Sequence, residues 1–202
     1  MVKKPVIFFL GKSGSGKDTQ ADLLIEKFGY ASINTGQLLR DFKNSIEKFP
    51  EGSLERYEAE TIKQILDEGK FVTTLQVMCQ WRFAALEIVK NFEKHTGIVF
   101  KGSPRKVSEA MILDDFFKHW PGAEHFEVKP IFLALSDEEA MKRLLLRGRE
   151  DDNEEAVKNR LAEFEEFVMP VAQYFKCGSH NIVKGSQSVD NVHKDVLKVL
   201  GL

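Results

Sequence analysis

Two cysteines in 202 residues are too few for a disulfide framework, and neither Cys79 nor Cys177 has a CxxC partner or a histidine at ligand spacing. A zinc site is therefore not expected, and both residues read as free thiols. The five histidines show no ligand spacing either, so no metal held directly by side chains is expected. Long apolar runs are also missing. The opening "MVKKPVIFFLGK" has basic residues, but its apolar run is too short for a signal peptide and far too short for a membrane span. A soluble, cytoplasmic protein with no membrane partner is the expectation. A formal net charge of -2 leaves no broad basic face, which argues against nucleic acid as a partner, since binding it takes clustered positive charge. Any anion site must be local. No exposed heptad or edge strand marks an oligomer interface, and a monomer is expected.

What the chain does have is alternation. Short apolar runs, at Val6–Leu10, Tyr30–Ile33, Ile98–Phe100, Pro130–Leu135 and Asn181–Val183, recur between helical patterns. Such alternation implies an α/β fold, a parallel five-stranded sheet with helices on both faces, and near-continuous apolar strands such as "VIFFL" fit burial on both sides. The length suits one such domain with a full core. Between the second and third strands lies a long helical insertion, roughly 35–92, broken by Pro50, Gly52 and Gly69. One crossover helix needs less, so a small lobe is expected there. Along the same helical pattern Cys79, Trp81, Phe83, Leu86 and Val89 read as core. Ligands of these sheets lie beyond the carboxyl ends of the strands. The segments to watch are therefore 11–19, 34–40, 101–105 and the stretch after Ser136.

The first of these is "GKSGSGKDTQ", with the G-x-x-x-x-G-K spacing of a phosphate-binding loop, between a strand and a helix as that motif requires. Gly11, Gly14 and Gly16 let the backbone turn and aim its N–H groups inward. Lys17 reaches the phosphates and the helix dipole adds to the attraction. Asp18 stands where the commoner form of the loop has a hydroxyl for magnesium.

Arginine is scarce beside lysine, and its placement is uneven. Arg40, Arg105, Arg143, Arg147, Arg149 and Arg160 fall in the segments near the expected ligand edge, leaving Arg56 and Arg82 elsewhere. A guanidinium grips phosphate oxygens with a planar, permanently charged fork. Ser136 and Glu139 read as a capping box for the helix carrying Arg143 and Arg147, whose i,i+4 spacing puts both on one face. Asp152 or Asn153 is expected to cap the helix carrying Arg160.

Four spaced segments carry a family resemblance. "GKSGSGKDTQ", "INTGQLLRD", "GSPR" and "DDNEEAVKNRL" resemble, in order and across nearly the whole chain, the phosphate loop and the nucleotide-binding motifs of the adenylate kinases. The resemblance implies a P-loop NTPase-type, three-layer fold with a core at 1–33, 93–146 and 151–202. It also implies an NMP-binding lobe at 34–92 and a minimal lid at 147–150, without the cysteines of a zinc-bearing lid. The implied reaction moves the γ-phosphoryl group of ATP reversibly to AMP, with Mg2+ held mainly by nucleotide phosphates and water. By resemblance, Gly14, Ser15, Gly16, Lys17, Asp18, Thr19 and Arg143 bind ATP. Thr35, Gly36, Leu39, Arg40, Val72, Gly102, Arg105 and Glu109 surround the monophosphate. Lys17, Arg40, Arg105, Arg147, Arg149 and Arg160 form the catalytic set.

Two departures stand out. Lys101 occupies the position of an Asp that in the family helps to organise water around magnesium, so a cation stands where another is wanted, unless Lys101 turns away. Glu109 replaces a Gln that reads adenine. A carboxylate only accepts hydrogen bonds and would suit guanine, whose N1 and N2 both donate, unless it points to solvent. The readings left open are an AMP kinase, a kinase with another acceptor such as GMP, and a nucleotide-binding protein of this fold with little activity.

Overall fold

The chain enters through strand β1, Lys4–Leu10, whose last five residues are buried. This computed structural model describes residues 3–68, 71–147 and 154–202. Around β1 are β2 (Ala31–Asn34), β3 (Ile98–Lys101), β4 (Phe126–Ala134) and β5 (Ile182–Lys184), in the order β2-β3-β1-β4-β5 and all parallel. β1 is therefore central, which is why it is apolar on both sides. Val6, Phe8 and Leu10 enter one core, while Ile7 and Phe9 enter the other.

The first core is covered by α2 (Thr35–Lys43), α3 (Leu54–Asp67), α4 (Thr74–Lys90), α5 (Val107–His119) and α8 (Met169–Tyr174). The second is covered by α1 (Lys17–Phe28) and α9 (Val189–Leu200). At the sheet's carboxyl end, α6 (Asp137–Arg147) is followed by α7 (Glu154–Glu163), which runs through a π-helical turn, Phe164–Val168, into α8. The result is the three-layer α/β sandwich that the alternation implies.

β4 starts at Phe126, earlier than its apolar run suggests, because Glu127 and Lys129 interrupt the run while their backbones still pair with β1. Pro130 is tolerated inside it. β5 pairs only with Phe132–Ala134, so at Pro130 the strand has β1 on one side alone.

α4 corrects part of the core reading. Val77, Trp81, Ala85, Ile88 and Val89 are its buried residues, and the Trp81 ring meets Phe100 and Phe116 edge-on. Phe83 is 66% exposed, beneath the Arg82 guanidinium, and Cys79 and Leu86 are only half-buried. With 3.6 residues per turn, Phe83 falls outside the stripe that 77, 81, 85 and 88 define. Both cysteines are free. No described helix is long and apolar enough to cross a membrane.

α9 is tied to α1 by a buried polar pair. His193 Nδ1 lies 3.0 Å from Gln20 Oε1, and Gln20 Nε2 donates to the Val189 carbonyl at 3.1 Å. His193 Nε2 is buried without a partner, so a proton there would be an unpaired buried charge, and burial pushes the imidazole below its ordinary value of 6.5. The unfolded chain then binds a proton that the folded chain refuses, and stability falls as pH drops through 6.5 toward the lower folded value. Thermal melts from pH 7.5 to 5 should show this slope, and His193→Gln should flatten it. Equal slopes for the two proteins would refute the assignment.

Candidate active site

β1 hands the chain directly to the phosphate-loop sequence. Gly11 has φ 138°, and a Cβ there would lie 2.5 Å from the Leu133 carbonyl of β4, so any side chain would lift the loop off the sheet. The loop closes on itself through Ser15 N–H to the Lys12 carbonyl at 3.2 Å. Gly16, at φ 94°, caps α1 in the left-handed region, leaving the first N–H groups of the helix pointed out of the sheet's carboxyl end. Ser15 is buried, its hydroxyl without a partner. Lys17 Nζ bends over the loop and donates to the Gly11 and Lys12 carbonyls at 2.8 and 2.7 Å. Burial within the cleft pushes this ammonium down to about 8; Asp18 works against the shift and Arg105 adds to it.

Above the loop opens a cleft of about 1120 Å³. Of the residues assigned to ATP, Gly14, Gly16, Lys17, Asp18, Thr19 and Arg143 line it, joined by Arg105 and Arg160. Arg143 is held from three sides: Glu139 Oε1 accepts from its Nε at 2.8 Å, and the Gly185 and Gly14 carbonyls accept from Nη1 at 2.9 and 3.4 Å. Only half of the expected capping box forms. Ser136 Oγ accepts from the Glu139 N–H at 3.3 Å, while the Glu139 carboxylate serves Arg143 instead. The two remaining arginines are structural: Arg56 pairs with Glu60 and Arg82 stacks on Phe83.

A second cavity of about 220 Å³ opens off the cleft. Thr35, Gly36, Leu39, Arg40, Val72, Gly102, Arg105 and Glu109, the whole set expected around the monophosphate, line it. The two cavities share Leu66, Phe71, Gly102, Ser103 and Arg105. Thr35, first in α2, donates its hydroxyl to the Lys101 carbonyl at 3.0 Å. Asn34 caps the helix by accepting from the Gln37 N–H. Gly102, at φ 88°, lets the chain turn just above: a Cβ there would meet Thr35 Oγ1 at 2.9 Å. Arg40 Nη2 donates to Gln37 Oε1 at 2.8 Å.

Both departures find partners. Lys101 Nζ pairs with Asp22 Oδ1 on α1 at 2.7 Å, which offsets the charge it brings into the cleft wall. Glu109 is 5% exposed and does not point to solvent. Its Oε2 accepts from Ser103 Oγ at 2.8 Å and from the Arg105 N–H at 2.9 Å, so one oxygen is committed to holding the turn after β3. That is a structural duty, and it does not single out guanine.

The Arg147 side chain, Arg149 and the rest of the 147–150 connection, and the capping residues Asp152 and Asn153 lie outside the described residues. Sequence reasoning passed over Asp22, Phe71, Glu163 and Phe164, three of which line the cleft while Asp22 neutralises its wall. Phe71 stands next to Val72 and could have been found from that; no local signal marks the others. No group of three or more His, Cys, Asp or Glu side chains among the described residues is placed to hold a metal ion.

The family model described as "Adenylate kinase" matches residues 9–180. Among curated relatives, an adenylate kinase of Prochlorococcus marinus (strain MIT 9515) is 36% identical over 175 residues, covering 86% of this chain and 85% of the relative. One from Bacteroides fragilis is 29% identical over 200 residues, covering 96% and 97%. One from Leptospira biflexa serovar Patoc is 32% identical over 198 residues, covering 95% and 97%.

Two measurements test this geometry. Acetylation of Lys17, followed by mass spectrometry, should have its midpoint near pH 8 and be blocked by tripolyphosphate, whereas an unperturbed lysine side chain in a model peptide titrates at about pH 10.4. A Lys17 profile like that of an unperturbed lysine would refute its burial. Glu109→Ala strands two donors and should cost about 2–4 kcal/mol in urea unfolding, with Glu109→Gln costing less.

Proposed function

Since the chain belongs to the adenylate kinase family, and so to the phosphotransferases that use a phosphate group as acceptor, we propose that the larger cleft takes ATP and the smaller cavity AMP. The γ-phosphoryl group then passes between them, giving two ADP. The observation that carries this reading is the shared floor of the two cavities, where Arg105 reaches both. A cation at that junction stands where the donor's terminal phosphate and the acceptor's phosphate must meet.

In the transfer, an acceptor phosphate oxygen forms the new bond to γ-phosphorus as the bond to the β–γ bridging oxygen breaks, and charge shifts to the departing ADP. No general base is required, so the protein's contribution is alignment and compensation of charge. Lys17 leaves the Gly11 and Lys12 carbonyls for the β- and γ-phosphates, with loop N–H groups behind it. Bound polyphosphate raises its pKa, so the ammonium stays charged at neutral pH. Arg143, fixed by Glu139 and two carbonyls, lies against the donor's adenine. Arg160 contacts the phosphoryl group in flight, with Arg147 and Arg149 joining from the lid connection at 147–150. Arg40 and Arg105 grip the acceptor's phosphate, and Thr35, Gly36, Leu39, Val72, Gly102 and Glu109 enclose its nucleoside within the lobe at 34–92.

The cleft fits a magnesium ion brought in by the nucleotide, since Asp18 and Thr19 line it and no cage of metal-binding side chains is found among the described residues. Asp18 and Thr19 are the residues that would meet the water shell of such an ion, which would be held by the nucleotide phosphates and would supply neutralising charge. The two free thiols suit a protein working in the cytoplasm, where thiols stay reduced, and a monomer is proposed with it.

The test is transfer from Mg-ATP to AMP, GMP, CMP, UMP and dAMP, with products separated chromatographically. AMP should be the best acceptor, and Lys17→Met should lower the rate by about 100-fold or more while the protein stays folded. A GMP rate matching the AMP rate would overturn the acceptor assignment. ATP binding without any diphosphate product would overturn the kinase.

A further inference from the structure

One side chain at the junction has no part in the roles above. Phe71 lines both cavities. The Arg105 guanidinium carbon lies 5.0 Å from the centroid of its ring, within cation–π range. On the far side of the junction Phe167, in the turn between α7 and α8, meets Phe71 edge-on at 5.7 Å and 84°. Lys106 closes the arrangement: its Nζ donates to the Val72 carbonyl at 3.1 Å and lies 6.0 Å from the Phe167 ring.

We infer that Phe71 is a positioning residue for phosphoryl transfer, acting through Arg105; this rests on the kinase reading above. The Arg105 side chain is tethered at its root, where Nε donates to the Gly102 carbonyl at 2.9 Å. Beyond that point its two terminal nitrogens donate no hydrogen bond among the described residues, and the fork is left to the ring it lies against and to the charges around it. Arg40 and Lys17 repel the guanidinium, while Glu109, Glu163 and Asp18 attract it. A guanidinium pulled toward several carboxylates needs a neutral surface to hold it in line, and an aromatic face does this without competing for the donors that phosphate requires. The edge contact with Phe167 fixes the angle of that face by linking the α3–α4 connection to the helices on the opposite wall.

Phe71→Leu keeps an apolar side chain of similar bulk but removes the ring face, and Phe71→Tyr restores the face. With AMP as acceptor, Phe71→Leu should lower kcat about tenfold, with ATP affinity by calorimetry and Tm close to wild type. Phe71→Tyr should recover to within about twofold of wild type. In an Arg105→Lys background, Phe71→Leu should cause little further loss, because the residue it acts through is already altered. Unchanged kcat and KM in Phe71→Leu would overturn the role, and so would losses that multiply fully in the double variant. A fall in Tm that accounts for the lost activity, unrescued by Tyr, would reduce Phe71 to packing. Wild-type protein that transfers to no acceptor would instead sink the kinase reading and this role with it. Normal wild-type transfer with an unaffected Leu variant sinks the Phe71 role alone.

Discussion

Like charge crowded at one end of a sheet is the constraint that the rest of the site answers. Lys17, Lys101, Arg105, Arg143 and Arg160 all line a single cleft, and before any phosphate arrives they repel one another across a low-dielectric floor. Each described contact relieves part of that repulsion. Lys101 is paired with Asp22, Arg143 with Glu139, and Lys17 rests on two carbonyls of its own loop. The low pKa of Lys17 comes first from its burial, with Arg105 adding to it against Asp18, and an anion beside the ammonium would raise it again. The cleft is preorganised for anions because the fold has already met the cost of assembling its cations.

The second constraint is the turn after β3. Gly102 brings the chain close over Thr35, a buried carboxylate from α5 holds Ser103 and Arg105 from beneath, and Phe71 faces Arg105 from the other side. Three separate elements, α2, α5 and the α3–α4 connection, thus converge on the turn that carries Arg105. Such convergence suits a reaction that needs two phosphates aligned and little covalent help from the protein. It also explains why one wall can serve two cavities: the turn is exposed to both and free to lean into neither.

Much of this was legible before any coordinates. The apolar runs located all five strands to within a few residues, since a parallel strand buried on both faces must be apolar throughout. The loop spacing located one wall of the larger cleft, and every residue assigned to the acceptor lines the smaller cavity. The misreadings share a cause. Phe83 is apolar yet outward, and Glu139 has the spacing of a cap but serves an arginine; in both, a local pattern was compatible with two orientations. β4 was shortened because its charged residues look like loop until β1 is placed beside them.

The sequence by itself determined the alternation of strands and helices, the phosphate loop and the concentration of arginines toward one edge. These depend on local spacing, on backbone freedom at glycine and on burial preference, all of which a linear string records. Only the tertiary structure decided that Lys101 meets Asp22 across 79 positions, that Glu109 turns inward to hold Ser103 and Arg105, and that Phe71 finds both Arg105 and Phe167. Such contacts form between side chains carried by different elements. Their energy falls off within a few ångströms, so the packing that sets those distances is what gives these residues their roles.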